Sequence, residues 1–206
     1  MYQDILTIAV VTVFAFFAIY WMWFQGEVDG SRLIAKNSMK QQKFNIILVL
    51  VAAFIVKAIL AVKNEGYSVD ITCFRSWSET VFTGGLSHFY EGDVTDYPPG
   101  YMLVLWLVAA IRHLFNIDNY STTGLFMIKL FPMLFDLAAA YLIYVMAKKR
   151  FSEGMSLMLS TLYALNPAVV IDSSVWGQVD GVLCCMVLLT CYLFMEEKRI
   201  LAYFAF

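Results

Sequence analysis

The sequence predicts an all-α fold, a polytopic bundle of transmembrane helices with a large outer loop that holds two amphipathic helices at the membrane interface. Three observations predict it. Hydrophobic residues make up 61% of the 206 residues and charged residues only 15%, more apolar surface than a soluble core could hide. The apolar residues fall in long runs at 5–24, 44–62, 124–147, 155–171 and 182–195, most of them near the ~20 residues that cross ~30 Å of hydrocarbon. The runs also lack the alternation of barrel strands, and a helix satisfies every backbone amide within its own segment.

Each element follows from composition and charge. The run at 5–24 is too long for a signal peptide and has neither its basic flank nor its small-residue cleavage site, so it is a retained span. Arg32, Lys36, Lys40 and Lys43 follow that span, Lys148, Lys149 and Arg150 follow the run at 124–147, and Lys198 and Arg199 follow the run at 182–195. By the positive-inside rule these three stretches are cytoplasmic, although the net charge is only −2. Residues 64–98 instead carry Glu65, Asp70, Glu79, Glu91, Asp93 and Asp96 against Arg75, which places them outside. An outer loop before Pro98 and an inner flank at Lys148 require an odd number of crossings between them. The apolar segment 101–115 is short, ends near Arg112 and His113, and is followed by the polar stretch 116–123. It is therefore expected to be interfacial or re-entrant, so that the outer loop runs from 64 to 123. Loops of that length usually carry function.

Three polar stretches face outward. In 69–82, Ile71, Phe74, Trp77 and Val81 recur at helical spacing opposite Thr72, Arg75, Ser76 and Glu79, and Gly84-Gly85 supplies a stop. Asp70 sits in the first turn, where a carboxylate compensates the helix dipole by ~0.3–1 kcal/mol or serves a site. In Asp96-Tyr97-Pro98-Pro99-Gly100-Tyr101 the two prolines fix the backbone. That segment is either a stiff turn before a helix or a rigid wall presenting Asp96, Tyr97 and Tyr101 to a ligand. In 166–181, which joins two spans with basic far ends, Asp172, Gln178 and Asp180 lie beside Trp176. Acceptors and donors next to an aromatic face suit a sugar, and a polar loop with an interfacial tryptophan has the same composition.

The order of these parts resembles the GT-C superfamily of membrane glycosyltransferases. An acidic residue early in the first outer loop, then Asp-Tyr-Pro-Pro-Gly-Tyr, a span ending in Lys-Lys-Arg, and Asn-Pro-Ala followed by Trp-Gly-Gln-Val-Asp look most like bacterial and archaeal proteins related to the second mannosyltransferase of GPI-anchor synthesis. The Asp-Tyr-Pro-Pro segment is also similar to that of dolichyl-phosphate-glucose-dependent glucosyltransferases. The resemblance covers 44–206, leaving 1–43 as an additional N-terminal helix and basic loop, and it implies that the chain is the N-terminal part of a longer enzyme. It implies transfer of a hexose, with inversion, from a polyprenyl-phosphate donor to a hydroxyl of a glycan, lipid or protein acceptor at the outer face of a bacterial or archaeal plasma membrane. Asp70 would be the general base. Arg75, with Arg112 a poorer candidate, would compensate the leaving phosphate. Asp96, Tyr97, Tyr101, Trp176, Gln178 and Asp180 would line the pocket. No cofactor is assigned, a divalent metal stays open, and the expected partners are membrane lipids and these substrates, with no nucleic acid.

Lys57, Lys129 and Asp136 fall within spans. The two lysines lie near enough to a boundary to snorkel, whereas Asp136 is deeper and could meet a cation only through bundle packing. His88 and His113 form no metal pattern, and Cys73, Cys184, Cys185 and Cys191 form neither a disulfide framework nor a zinc spacing. The rival classes are a polytopic transporter, against which stands the lack of an internal repeat, and a non-catalytic assembly subunit with a degenerate transferase fold.

Overall fold

A computed structural model describes residues 39–92 and 97–206, so the span expected at 5–24, the loop after it to residue 38, and Asp93 and Asp96 lie outside the described residues. The described residues are all-helical, without strands: α1 (Met39–Lys63), α2 (Ser68–Gly92), α3 (Pro99–Leu114), α4 (Thr122–Ala147), α5 (Glu153–Ala164), α6 (Pro167–Val170) running into a π-helical turn (Ile171–Trp176), α7 (Asp180–Met195) and α8 (Arg199–Ala205). Two helices, α1 over Asn45–Lys63 and α4, are long and apolar enough to cross a membrane. A third crossing is available if α5 and Pro167–Trp176, bent by 47°, form one broken span.

Helices α1 and α4 run antiparallel: Ile46 packs near Tyr144, Ala53 near Ala140, Lys57 meets Asp136, and Lys63 shares a groove with Thr122. Ala53, Ala140 and Ala164 bring α1, α4 and α5 together, and Ser160 donates to the Ala140 carbonyl at 2.8 Å. Small residues and interhelical hydrogen bonds do this work where the surroundings are as apolar as the core. The outward face of α1 is Ile47, Leu48, Val51, Ile55, Ile59 and Val62, all exposed, the composition of a lipid-facing surface.

The sequence leads one to expect a single span over 155–171. Asn166-Pro167 breaks it, because proline cannot donate and disfavours helical geometry at the residue before it; Asn166 accordingly sits at φ −57, ψ 127 and caps Ala168 N at 2.9 Å. Helix α7 starts against the middle of α4, where a Cβ on Gly181 would collide with Asp136 Oδ1.

The chain between α1 and α4 leaves and returns at one end of the bundle, since Lys129 binds the Asn64 carbonyl and Lys63 lines a groove with Thr122. Helix α3 has 16 residues, about 24 Å, short of the ~30 Å hydrocarbon layer. Its buried face, including Met102, Leu105 and Val108, packs with Ile71, Phe74 and Val81 of α2. The stop expected at Gly84-Gly85 is a break at Gly85 (φ 77, ψ 167), a conformation reserved for glycine. The helix then resumes and folds back, so that Phe89 packs on Trp77 with centroids 6.3 Å apart. Helix α2 exposes Thr72, Ser76 and Thr83, and α3 exposes Leu103, Trp106 and Leu107 while its buried Arg112 pairs with Glu79 of α2.

Candidate functional site

Asp70, in the first turn of α2, is held from outside its own helix. Its Oδ2 accepts from Trp176 Nε1 at 2.8 Å and from Gln178 Nε2 at 3.0 Å. The other oxygen, Oδ1, has no hydrogen-bond partner among the described residues. Gln178 is oriented in turn, because its Oε1 accepts from the Tyr97 hydroxyl at 2.9 Å and from Val179 N at 3.1 Å. The amide therefore cannot flip without losing bonds at both ends. Trp176 and Gln178 flank Gly177, which takes φ 91 as the left-handed cap of the π-helical turn, while the Asp172 carbonyl accepts from Gly177 N and Gln178 N, both at 2.9 Å. Tyr67 N donates to the Trp176 carbonyl at 2.9 Å, which joins the turn before α2 to the turn after Trp176.

Aromatic rings surround this carboxylate. Trp176, 45% exposed, tilts against exposed Tyr67 with centroids 5.1 Å apart, which leaves an open aromatic face beside an acceptor oxygen. Tyr97 packs on Phe74, Trp77 and Tyr101, and its carbonyl accepts from the Tyr90 hydroxyl at 3.0 Å. Such a combination of flat apolar faces and fixed polar atoms fits the two sides of a sugar ring.

Of the residues selected from the sequence, the structure brings together Asp70, Tyr97, Trp176 and Gln178. Tyr101 is buried behind them, edge-on to Phe74, with its hydroxyl unpartnered and its phenol pKa pushed up by burial. Asp180 is exposed at the start of α7, outside this hydrogen-bonded set. Arg75 lies five residues from Asp70, about 140° around the helix. Its guanidinium sits over the Tyr120 ring at 5.1 Å and its carbonyl accepts from Asn119 at 3.2 Å. Arg112, named from the sequence as the poorer phosphate partner, is bound to Glu79, which also holds His113 Nε2 at 2.9 Å. Asp96 lies outside the described residues. Among the described residues no group of three or more His, Cys, Asp or Glu is placed to hold a metal, and the four cysteines are free.

The chain is similar to a mannosyltransferase. It is 27% identical over 128 residues to GPI mannosyltransferase 1 of Saccharomyces cerevisiae (strain ATCC 204508 / S288c), a stretch covering 59% of this chain. The chain spans 29% of that relative's length. The motif resemblance points to proteins related to the second GPI mannosyltransferase; the relative found bears the name of the first. No family model matches the chain, and no solved structure matches it.

Three features escape a reading of the sequence. Tyr67 pairs with Trp176, and the only signal for it is an aromatic ring one turn ahead of Asp70. Lys57 and Lys129 do not snorkel: both are 0% exposed. Lys57 Nζ donates to Asp136 Oδ2 at 2.8 Å, the Val169 carbonyl at 3.1 Å and Ser173 Oγ at 3.1 Å. Lys129 Nζ donates to the carbonyls of Asn64 at 2.7 Å, Ser174 at 3.1 Å and Val175 at 3.2 Å. The physical reason is the broken segment after Asn166, whose departure from α-helical bonding leaves carbonyls that need donors inside an apolar bundle.

Proposed function

We propose that this chain is part of a membrane glycosyltransferase of mannosyltransferase type, which moves a hexose from a polyprenyl-phosphate donor to an acceptor hydroxyl at the outer face. Asp70 is its general base. The observation that carries this reading is the Asp70 carboxylate itself, fixed through one oxygen by Trp176 and Gln178 and open at the other. A base must be aimed before it can take a proton, and an acceptor hydroxyl hydrogen-bonded to Oδ1 would lose its proton as its oxygen attacks the anomeric carbon. Inversion follows if the phosphate leaves from the opposite side of that carbon. The lipid phosphate is a competent leaving group and needs no general acid, only compensation of its charge.

Sidedness supports the same reading. Asp70, Trp176 and Gln178 gather at the end of the bundle opposite Lys148, Lys149 and Arg150, and by the positive-inside rule the basic end is cytoplasmic. The transporter alternative needs intramembrane charges that can change partners, whereas the Lys57 and Lys129 ammonium groups each already use all three of their donors.

The test is Asp70→Asn in the full-length protein, assayed for transfer of labelled sugar from polyprenyl-phosphate. The amide preserves size but cannot take the proton, so transfer should fall by ~10²–10⁴-fold with donor binding retained. Near-normal turnover would remove Asp70 from the mechanism.

A further inference from the structure

We infer that Lys129 is a positioning residue that sets the geometry of the Asp70–Trp176–Gln178 assembly from below, an inference that rests on the reading of Asp70 as the base. Lys129 is fully buried in α4 and forms no salt bridge among the described residues. Its three ammonium donors go instead to three backbone carbonyls in two separate chain reversals: Asn64, at the end of α1, and Ser174 and Val175, within the π-helical turn. Both are places where helix geometry ends and carbonyls lack intrahelical partners, which a cation satisfies best.

These two reversals carry the two halves of the site. Asp70 follows Asn64 through a turn in which the Tyr67 carbonyl accepts from Ile71 N at 3.0 Å, and Trp176 is the residue after Val175. The reversals touch directly above the lysine: Tyr67 N donates to the Trp176 carbonyl, and a Cβ on Gly66 would lie 2.7 Å from that same oxygen. The stem of Lys129 fills the space beneath Gly177, where an added Cβ would meet its Cε at 3.2 Å. A buried ammonium without a carboxylate partner is expensive, and a methionine of similar length would fill the same space at less desolvation cost. What methionine cannot do is hold the Asn64 carbonyl and the Ser174 and Val175 carbonyls around one atom. Lys129 thus fixes where Asp70 stands relative to the Trp176 indole and the Gln178 amide, without touching substrate.

The experiment compares Lys129→Met and Lys129→Gln in the full-length protein by the indole N–H resonance of Trp176, assigned through its loss in Trp176→Phe, and by transfer kinetics. In the wild type that resonance should lie downfield because of its bond to the Asp70 carboxylate. Lys129→Met should move it to the position of a solvent-bonded indole and lower kcat on the order of 10²-fold, the loss that ~1 Å of misplacement causes, with KM for the donor little changed. Lys129→Gln, which keeps two donors, should recover part of both. An indole resonance at the wild-type position in either folded variant overturns the inference. Failure of both variants to fold also overturns it, because Lys129 would then serve the whole bundle and not the site. The indole readout needs no sugar donor, so it stands or falls independently of the Asp70→Asn assay.

Discussion

Removing Lys57 should cost this bundle more than any surface change. Lys57 and Asp136 have side chains 0% and 2% exposed and lie 2.8 Å apart, and the lysine also supplies donors to the Val169 carbonyl and Ser173 Oγ, both at 3.1 Å. In Lys57→Met the methionine fills most of the vacated volume, so the loss is electrostatic: an acidic group remains in an apolar interior without its cation. Breaking a buried pair from one side costs about 3–5 kcal/mol, and the Val169 carbonyl adds little to this because it keeps the Ser173 hydroxyl as a donor at 3.1 Å. Membership of the pair, more than the charge itself, is at stake. Lys57→Met with Asp136→Leu removes both partners and should return most of the stability, since well-packed apolar replacements of a buried ion pair are neutral or stabilising. The assay is equilibrium unfolding of the full-length protein in mixed micelles titrated with dodecyl sulfate, followed by helical circular dichroism. A single variant within about 1 kcal/mol of wild type, or a double variant no more stable than the single, would refute the reasoning.

Two glycines separate backbone strain from crowding. Gly177→Ala places a Cβ 2.7 Å from Ile71 Cδ1 and 3.2 Å from Lys129 Cε at φ +91, whereas Gly85→Ala at φ +77 meets nothing within 4 Å. Gly85→Ala should lose the ~1–3 kcal/mol of a backbone conformation reserved for glycine with no crowding, and Gly177→Ala the ~1–2 kcal/mol of a left-handed alanine plus ~1–3 kcal/mol of crowding, by the same unfolding titration. Topology is checked with single cysteines reacted with an impermeant thiol reagent. Positions 87, 119 and 178 should label from one side of the membrane and position 150 from the other; labelling of 87 and 119 from opposite sides would mean that α3 crosses.

That 64–123 and 166–181 meet at one end of the bundle was legible because charge is unevenly spaced along the chain, and parity alone puts the two stretches together. That Asp70 and Gln178 would touch was not legible to that degree: parity places them on a face, and the contact depends on how Pro167 redirects the chain after α5. The same break explains why Lys57 and Lys129 were misread. Snorkelling is judged from a lysine's distance to the nearest end of its own helix, while the groups that captured these two belong largely to a segment more than 40 positions later in the sequence. Asp96 and the span at 5–24 lie outside the described residues.

The two lysines hold opposite ends of that one irregular segment, and this divides their roles. Lys57 grips Val169 and Ser173 where the segment is packed against α1 and α4, and its ion pair with Asp136 sits in the middle of α4 under the start of α7. Lys129 grips Ser174 and Val175, immediately before Trp176, and reaches across to Asn64 before Asp70. Loss of the first grip exposes an unpaired charge to the whole bundle, so its cost appears in stability. Loss of the second frees the ends from which Asp70 and Trp176 are hung, so its cost appears first in the bond between them. The bend after Asn166, a local defect by the rules of helix formation, is what allows Trp176 and Gln178 to reach Asp70.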